Sequence, residues 1–510
     1  MLEMKNFLIL TFFFLPTFSS LGQRILKVEN FNLNTPFLEP EERTLSQNLG
    51  AEGLISIAKN KGTHKGTSIY YLEWRRVDLS LNWSSPVRIG SSENILHLEV
   101  TDHQILLFSV LHNESQKITA LHVDIYDRNQ GHHIAEKLLL EHQVESWNYV
   151  INKGAVNRDF QSYIASGSKR GYVTPLEYRY KIGFSPDGTK YLFYRYDFSK
   201  PNLQADAFIF DKELTLLKKA MLSIDNHYIN HSLTLSPEGN IYLLNSKNDG
   251  TVAAIYYNLD DKTSRFLEIS PSNSDRSHYN LEIEDEYHVL ISYINQRKNN
   301  LEGISLSKFN FKEEKIDWIN YQELNKSLDS LAAGMGESIQ KNNFELIKQL
   351  QTHSGTLFLL EQRELLAPGR QYSSNQVEDK DHWRPGKGKI VSGSILLIYF
   401  GKDNELKWSQ LISKNQVTNA KEGLNTIGFS YNVFENDIKI LYAVGSGSVS
   451  QLNHVSIDWD GKVTKNELPN EHNIILVRPY TQWLNPNEVV IVGKKGFSGR
   501  SSLIMKYKVP

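Results

Sequence analysis

Apolar and polar positions alternate on a short wavelength along nearly the whole chain. Short runs rich in Tyr, Phe, Ile, Leu and Val are separated by turns of Asp, Asn, Gly, Ser and Pro. That is the rhythm of strands rather than helices. The clearest copy spans residues 181–211, KIGFSPDGTKYLFYRYDFSKPNLQADAFIFD. A tight turn at Ser185-Pro186-Asp187-Gly188 feeds an aromatic strand, 191–196; a polar gap and a second strand, 205–210, follow, ending at Asp211. Pro presets φ and Gly accepts positive φ, so the turn has a physical cause. A looser copy begins at Ser236-Pro237-Glu238-Gly239 and closes at Asp260.

The recurring unit is a turn, a strongly apolar strand, a polar gap, a second strand, an Asp/Asn/Gly turn and a more polar third strand. Eight such units start near residues 53, 95, 181, 232, 281, 347, 429 and 479. A repeat of about 50 residues with three to four strands predicts an all-β fold, a single β-propeller. Eight blades are favoured; seven, with an irregular first unit, is the alternative. The most apolar strands (191–196, 241–245, 288–294, 357–361, 438–444 and 489–493) are expected innermost, with charged strands such as 216–222 and 463–469 outside. The last unit has only about three strands, so residues 25–33 are expected to supply its missing edge and close the ring.

Three stretches break the rhythm. Residues 144–177 and 366–389 are polar insertions. Residues 320–350 carry the one good helical pattern, 322–333, with Leu324, Leu328 and Leu331 at helical spacing; a second short helix is expected over 343–350. At the start, residues 7–18 are apolar and followed by Ser20 and Gly22. This predicts a signal peptide, residues 1–22, cleaved near Gly22/Gln23, and a periplasmic or secreted propeller domain over 23–510. No later stretch is long and apolar enough to cross a membrane.

Composition narrows the picture further. The chain has 510 residues and no cysteine, so neither a disulfide nor an acylated cysteine holds or anchors it. Its net charge of −2 gives no field to draw nucleic acid.

Phe184–Phe193, FSPDGTKYLF, resembles the strand-turn motif of TolB-like and WD40-like (PD40-type) propeller repeats, and LSPEGNIYLL (235–244) is a looser match. The motif covers about two units. Residues 394–416 also look like a unit of uncharacterised secreted propeller proteins of Bacteroidota. That resemblance implies a propeller and carries no known activity. Trp459-Asp460 and Gly131-His132 are isolated dipeptides rather than WD40 repeats.

Catalytic signatures are sparse. There is no His-Glu-X-X-His, Gly-X-Ser-X-Gly, Walker loop or dinucleotide fingerprint. The adjacent pair His132-His133 follows a turn, and neighbours on a strand point to opposite faces, so it reads as an exposed hairpin rather than a metal ligand set. No cofactor and no metal are expected. The 58 acidic residues could place carboxylates face to face across an axial funnel, but spacing does not identify them. The candidate ligand-binding residues lie in the insertions: Arg370, Tyr372, Asp381, His382, Trp383 and Arg384 in one, Trp147, Tyr149 and Tyr163 in the other. Loops on rigid scaffolds commonly carry binding, and Tyr, Trp and Arg are its usual anchors; packing of these aromatics onto the rim is the competing reading. The expected function is an exported, monomeric, non-catalytic propeller that binds an envelope or extracellular protein or glycan. A carbohydrate-active or other hydrolytic propeller with an acidic axial site is the alternative.

Overall fold

The computed structural model describes residues 24–31, 45–64, 67–90, 93–113, 116–143, 180–197, 203–224, 229–247, 249–270, 275–297, 300–324, 328–331, 343–366, 389–419, 427–444, 451–495 and 502–510. They form eight antiparallel sheets, seven following the chain in order and the eighth completed by the earliest described strand, which is an eight-bladed β-propeller. Blade 3 shows the pattern. Its strands are Tyr180–Phe184, Lys190–Asp197, Leu203–Asp211 and Leu216–Ile224, paired in that order. The Ser185–Gly188 turn joins the first strand to the second, with Gly188 at φ +65° and a hydrogen bond from Gly188 N to Ser185 O.

One expectation about the blade is corrected. The aromatic strand after this turn is the second strand, not the innermost. The first strands of neighbouring blades approach one another and form the inner ring. The second strand is more buried because it has a partner on both sides and a blade packed on each face. Ile241–Ser246, for example, is buried throughout, whereas the first strand borders the axis and is mixed in character.

The ring closes as expected. Arg24–Phe31 pairs antiparallel with Ser502–Lys508, so the earliest described strand becomes the outer strand of blade 8. The inner strand of that blade is split. Ile474–Leu476 and Gln482–Asn485 both pair with Glu488–Lys495 and flank a short 3-10 turn, Arg478–Tyr480. From it the Tyr480 hydroxyl donates to Ile57 O at 2.9 Å, stitching blade 8 to blade 1.

The helical expectations are also corrected. Residues 322 and 323 belong to the outer strand Lys315–Glu323, and only 328–331 are helical among the described residues of that stretch. Leu324 and Leu328 are buried in the core between blades 5 and 6. The second expected helix is the strand Phe344–Thr352, the inner strand of blade 6. Its local spacing suits either structure, and pairing with Gly355–Leu366 decides the outcome.

Adjacent blades are clasped at the rim. In six successive joints, an outer-strand side chain reaches the turn between the third and fourth strands of the next blade. Trp83 Nε1 donates to Arg128 O at 3.0 Å and Trp408 Nε1 to Trp459 O at 3.0 Å. Lys137 donates to Leu214 O, Arg265 to Phe311 O and Asn320 to Asn404 O, and Lys218 pairs with Asp260. Both tryptophan clasps sit on a glycine. A Cβ on Gly131 (φ +72°) would lie 2.4 Å from the Trp83 ring, and one on Gly461 (φ +83°) 2.7 Å from the Trp408 ring. The two isolated dipeptides, Gly131-His132 and Trp459-Asp460, therefore mark equivalent turns. Gly461→Ala combines left-handed strain with this clash and should cost about 2 kcal/mol or more. Gly188→Ala, whose Cβ meets nothing within 4 Å, should cost only the strain. Parallel urea melts of the two variants check the difference.

Candidate functional site

Antiparallel blades sort their connections by face. Turns from first to second and from third to fourth strands open on one face; connections from second to third strands, and from blade to blade, open on the other. Residues 144–179 join blade 2 to blade 3, 324–343 join blade 5 to blade 6, and 367–388 join the second and third strands of blade 6. All three insertions therefore leave from the same face, a convergence that the linear sequence does not display. The nine candidate residues (Arg370, Tyr372, Asp381, His382, Trp383, Arg384, Trp147, Tyr149 and Tyr163) lie outside the described residues.

What the structure does describe is the stem from which residues 367–388 depart. The second and third strands of blade 6, Gly355–Leu366 and Lys389–Gly401, are the longest in the sheet and stay paired, past a register shift between Glu361 and Arg363, to the pair Leu366 and Lys389. A further short strand, Gln416–Asn419, pairs with Lys389–Ser392 and widens the stem to three strands. At its base lies a buried polar network. Lys414 Nζ is 2.6 Å from Glu361 Oε1, and both side chains are 0% exposed. Arg363 Nε donates to Glu361 Oε2 at 2.7 Å, and Ser392 Oγ donates to Glu361 Oε1 at 2.7 Å. Lys414 also donates to Ser392 Oγ and, at 3.0 Å, to Gln416 Oε1. Gln416 Oε1 in turn accepts from Gly428 N at 2.7 Å, at the start of blade 7. Burial would push the Glu361 carboxyl up, but Lys414, Arg363 and Arg478 outweigh it and hold the group well below the usual carboxylate range. Burial lowers Lys414 to about 8, so it stays mostly charged at neutral pH. The network ties three blade 6 segments to blade 7, immediately below the insertion.

The inner ring at this face is rich in neutral histidine. β-Bulges in the first strands of blades 4 and 5 fall at His231 and at His278-Tyr279; His278 has φ +52°. Bulges re-aim side chains and are over-represented near functional sites. His231 stacks against Tyr279 with centroids 4.1 Å apart, and its Nε2 is 2.7 Å from Ser246 Oγ. Burial lowers His231 to about 3 and His278 to about 4. On the same strand as His278, Glu282 accepts from Gln349 Nε2 at 3.0 Å, and its carboxyl is raised by burial. Sequence reasoning passed over these residues because single histidines in strands carry no spacing signal.

His132-His133 falls at the start of an outer strand, where His133 Nε2 lies 2.8 Å from Asp124 Oδ1. Among the described residues no group of three or more His, Asp or Glu could hold a metal ion, and no helix is long and apolar enough to cross a membrane.

His454, in the third strand of blade 7, is 0% exposed, and neither ring nitrogen has a hydrogen-bond partner. Burial lowers it to about 4. The unfolded chain therefore binds a proton that the folded chain refuses between pH 6.5 and about 4, and stability falls as pH falls through that window. His454→Phe fills the same space without orphaned nitrogens. It should flatten the pH dependence of the unfolding free energy from urea melts between pH 7 and 5 by about 2 kcal/mol.

No family model matches the chain, and no curated protein matches it in sequence. Solved structures do. The chain is similar to Saccharomyces cerevisiae Sqt1 at 9% identity, covering 96% of this chain and 100% of that one, with a TM-score of 0.42. It is also similar to the β-propeller domain of the Trilobed protease from Pyrococcus furiosus, at 9% identity over 82% and 95% of the two chains and TM-score 0.35. The WD40 domain of SCAP from fission yeast matches at 9% identity over 89% and 98%, TM-score 0.33. At such identities the likeness concerns the fold alone.

Proposed function

We propose that this protein is an exported, non-catalytic β-propeller that holds an envelope or extracellular protein or glycan through its insertion-bearing face, with residues 367–388 as the principal contact. The observation that carries this reading is the stem. A connection of no consequence needs no third strand, and a fully buried Glu–Lys–Arg network is a costly way to pack one. Such a base fixes the position from which a binding loop projects, in keeping with recognition loops on rigid scaffolds. Aromatic and Arg side chains within 367–388 and 144–177 supply the anchors. Export rests on residues 1–22 and on the TolB-like and Bacteroidota-like units; the folded body acts as a monomer.

The experiment is capture from cell-envelope extract with the mature protein and with a variant in which 367–388 is replaced by a short Gly-Ser link. Loss of specific partners in the variant supports the reading, and an unchanged set of partners overturns it. The rival reading, hydrolysis at an axial acidic site, draws on Glu282, an inner-strand carboxyl raised by burial. Turnover on a glycan panel, abolished by Glu282→Gln, would favour it.

A further inference from the structure

The joint between blades 7 and 8 is built unlike its neighbours. Six joints carry a rim clasp, but among the described residues no side chain of Val463–Leu468, the outer strand of blade 7, hydrogen-bonds to blade 8. Blade 8 is fastened instead to blade 1. Tyr480 donates to Ile57 O, Asn48 Nδ2 to Trp483 O, and Gln482 Nε2 to Ser46 Oγ at 2.9 Å. Toward blade 7, Lys439 Nζ donates to Pro510 O at 2.9 Å while pairing with Asp437 of its own strand. At the inner end Arg478 lies against Gly428, where a Cβ would come within 3.0 Å of its guanidinium. Between these points the joint rests on the packing of its core.

That core is polar at one place. His454 of blade 7 and Trp483 of blade 8 meet across it with ring centroids 5.7 Å apart. His454 is 0% exposed and Trp483 4%. Neither nitrogen of His454, nor Trp483 Nε1, has a hydrogen-bond partner. Three polar atoms are thus buried unpaired in a seam that also holds Leu441, Leu452, Leu476 and Ile491. Such groups are uncommon and destabilising, and an imidazolium in their place would be far more so. The charges that bear on His454 are Lys439 and Asp437, both on the adjacent strand of blade 7, and they act in opposite directions. Asn466, opposite it on the outer strand, is uncharged; Lys465 and Glu467 alternate to the other face. In blade 8, Glu488 and Lys506 pair with each other, at strand positions that alternate with those facing blade 7. Tyr507, buried in the seam cluster with Glu471 acting on it, stays neutral. Nothing from blade 8 therefore offsets a charge on His454.

We propose that the joint between blades 7 and 8 is an acid-sensitive seam: protonation of His454 parts blade 8 from blade 7 at the rim, while blade 8, its closing strand and blade 1 move as one body. The unclasped rim makes this the joint that gives way, and the bonds to blade 1 keep the opposite side of blade 8 closed. In the closed seam burial holds His454 near 4, and once the seam opens it returns to its ordinary value of 6.5. Opening therefore takes up a proton between these limits. The closed state is fully favoured above pH 6.5 and loses ground as pH falls toward 4. One titratable group thus biases a two-state element.

The chain has no cysteine, so single introduced thiols report on each joint of the full mature protein. Ala443→Cys probes the seam between blades 7 and 8, Ala58→Cys the joint between 8 and 1, and Ala207→Cys the core between blades 3 and 4; all three alanines are buried. Labelling by a small thiol reagent is measured at pH 7.5 and pH 5 and divided by the rate for the urea-unfolded chain at the same pH. The normalised rate for Ala443→Cys should rise about 30-fold at pH 5, with Ala58→Cys and Ala207→Cys staying protected. Adding His454→Phe should abolish the rise. Adding His454→Gln, which stays polar but does not titrate, should abolish it too, even if labelling is faster at both pH values. A rise of equal size at all three positions would mean global unfolding and overturn the proposal. So would a rise at Ala58→Cys in place of Ala443→Cys, or one that survives both His454 substitutions.

Discussion

Deleting residues 24–31 should open the ring. The strand forms the whole outer edge of blade 8, pairing from Arg24 with Lys508 to Phe31 with Ser502. Ile25 and Val28 pack against a core cluster that includes Met505, Tyr507 and Val489. Its loss removes one edge ladder, exposes the edge of Ser502–Lys508 and uncouples the seam between blades 8 and 1. An exposed apolar strand edge invites aggregation. The expected result is a truncated chain that melts in a broad transition well below the parent and aggregates from it. Val28→Pro is the milder form, costing about 3 kcal/mol through a lost ladder hydrogen bond and steric conflict. Adding a synthetic RILKVENF peptide should restore the truncated chain toward the parent melting curve, because the strand pairs in trans. Truncation without loss of stability, or full loss without peptide rescue, would contradict closure by this strand.

Glu361→Gln should be nearly as damaging from within. The substitution keeps the shape but leaves Lys414 and Arg363, both buried, without their shared carboxylate. Removing one partner of a buried charge network typically costs about 3–5 kcal/mol, mostly the desolvation of the charge left behind. The double variant Glu361→Met/Lys414→Met should cost less than the sum of its single changes, with a coupling of about 1–3 kcal/mol in a urea double-mutant cycle. The same cycle separates support from contact. If the network only positions the stem, partner capture by the double variant should recover together with its stability. Additive single effects would show that Lys414 and Glu361 do not act as a unit.

The sequence carried the blade repeat, because a strand with a partner on either side must be apolar and a two-strand turn must accept positive φ. It could not rank strands by distance from the axis. Hydrophobicity reports burial, and burial in a propeller peaks one strand outward of the inner ring, so 191–196 was placed too far in. The strand Phe344–Thr352 was taken for a helix because FELIKQLQT fits both periods, and only its partner Gly355–Leu366 settles the choice. The network around Glu361 was invisible for a different reason. Glu361, Lys414 and Gln416 belong to segments separated by the insertion and an outer strand, and each letter reads as a surface residue until strand pairing buries it.

By itself, then, the sequence determined the all-β character, the turn chemistry, the favoured number of blades and the need for an added strand at the seam, since these follow from local periodicity and from counting strands. Only the tertiary structure decided which face each connection leaves from, because that depends on the parity of antiparallel strands around a closed ring. From that parity the three insertions depart on one face, and the turns between first and second strands lie on the other. The ring also sets His97 of blade 2 against Phe184 of blade 3, residues that the chain keeps far apart.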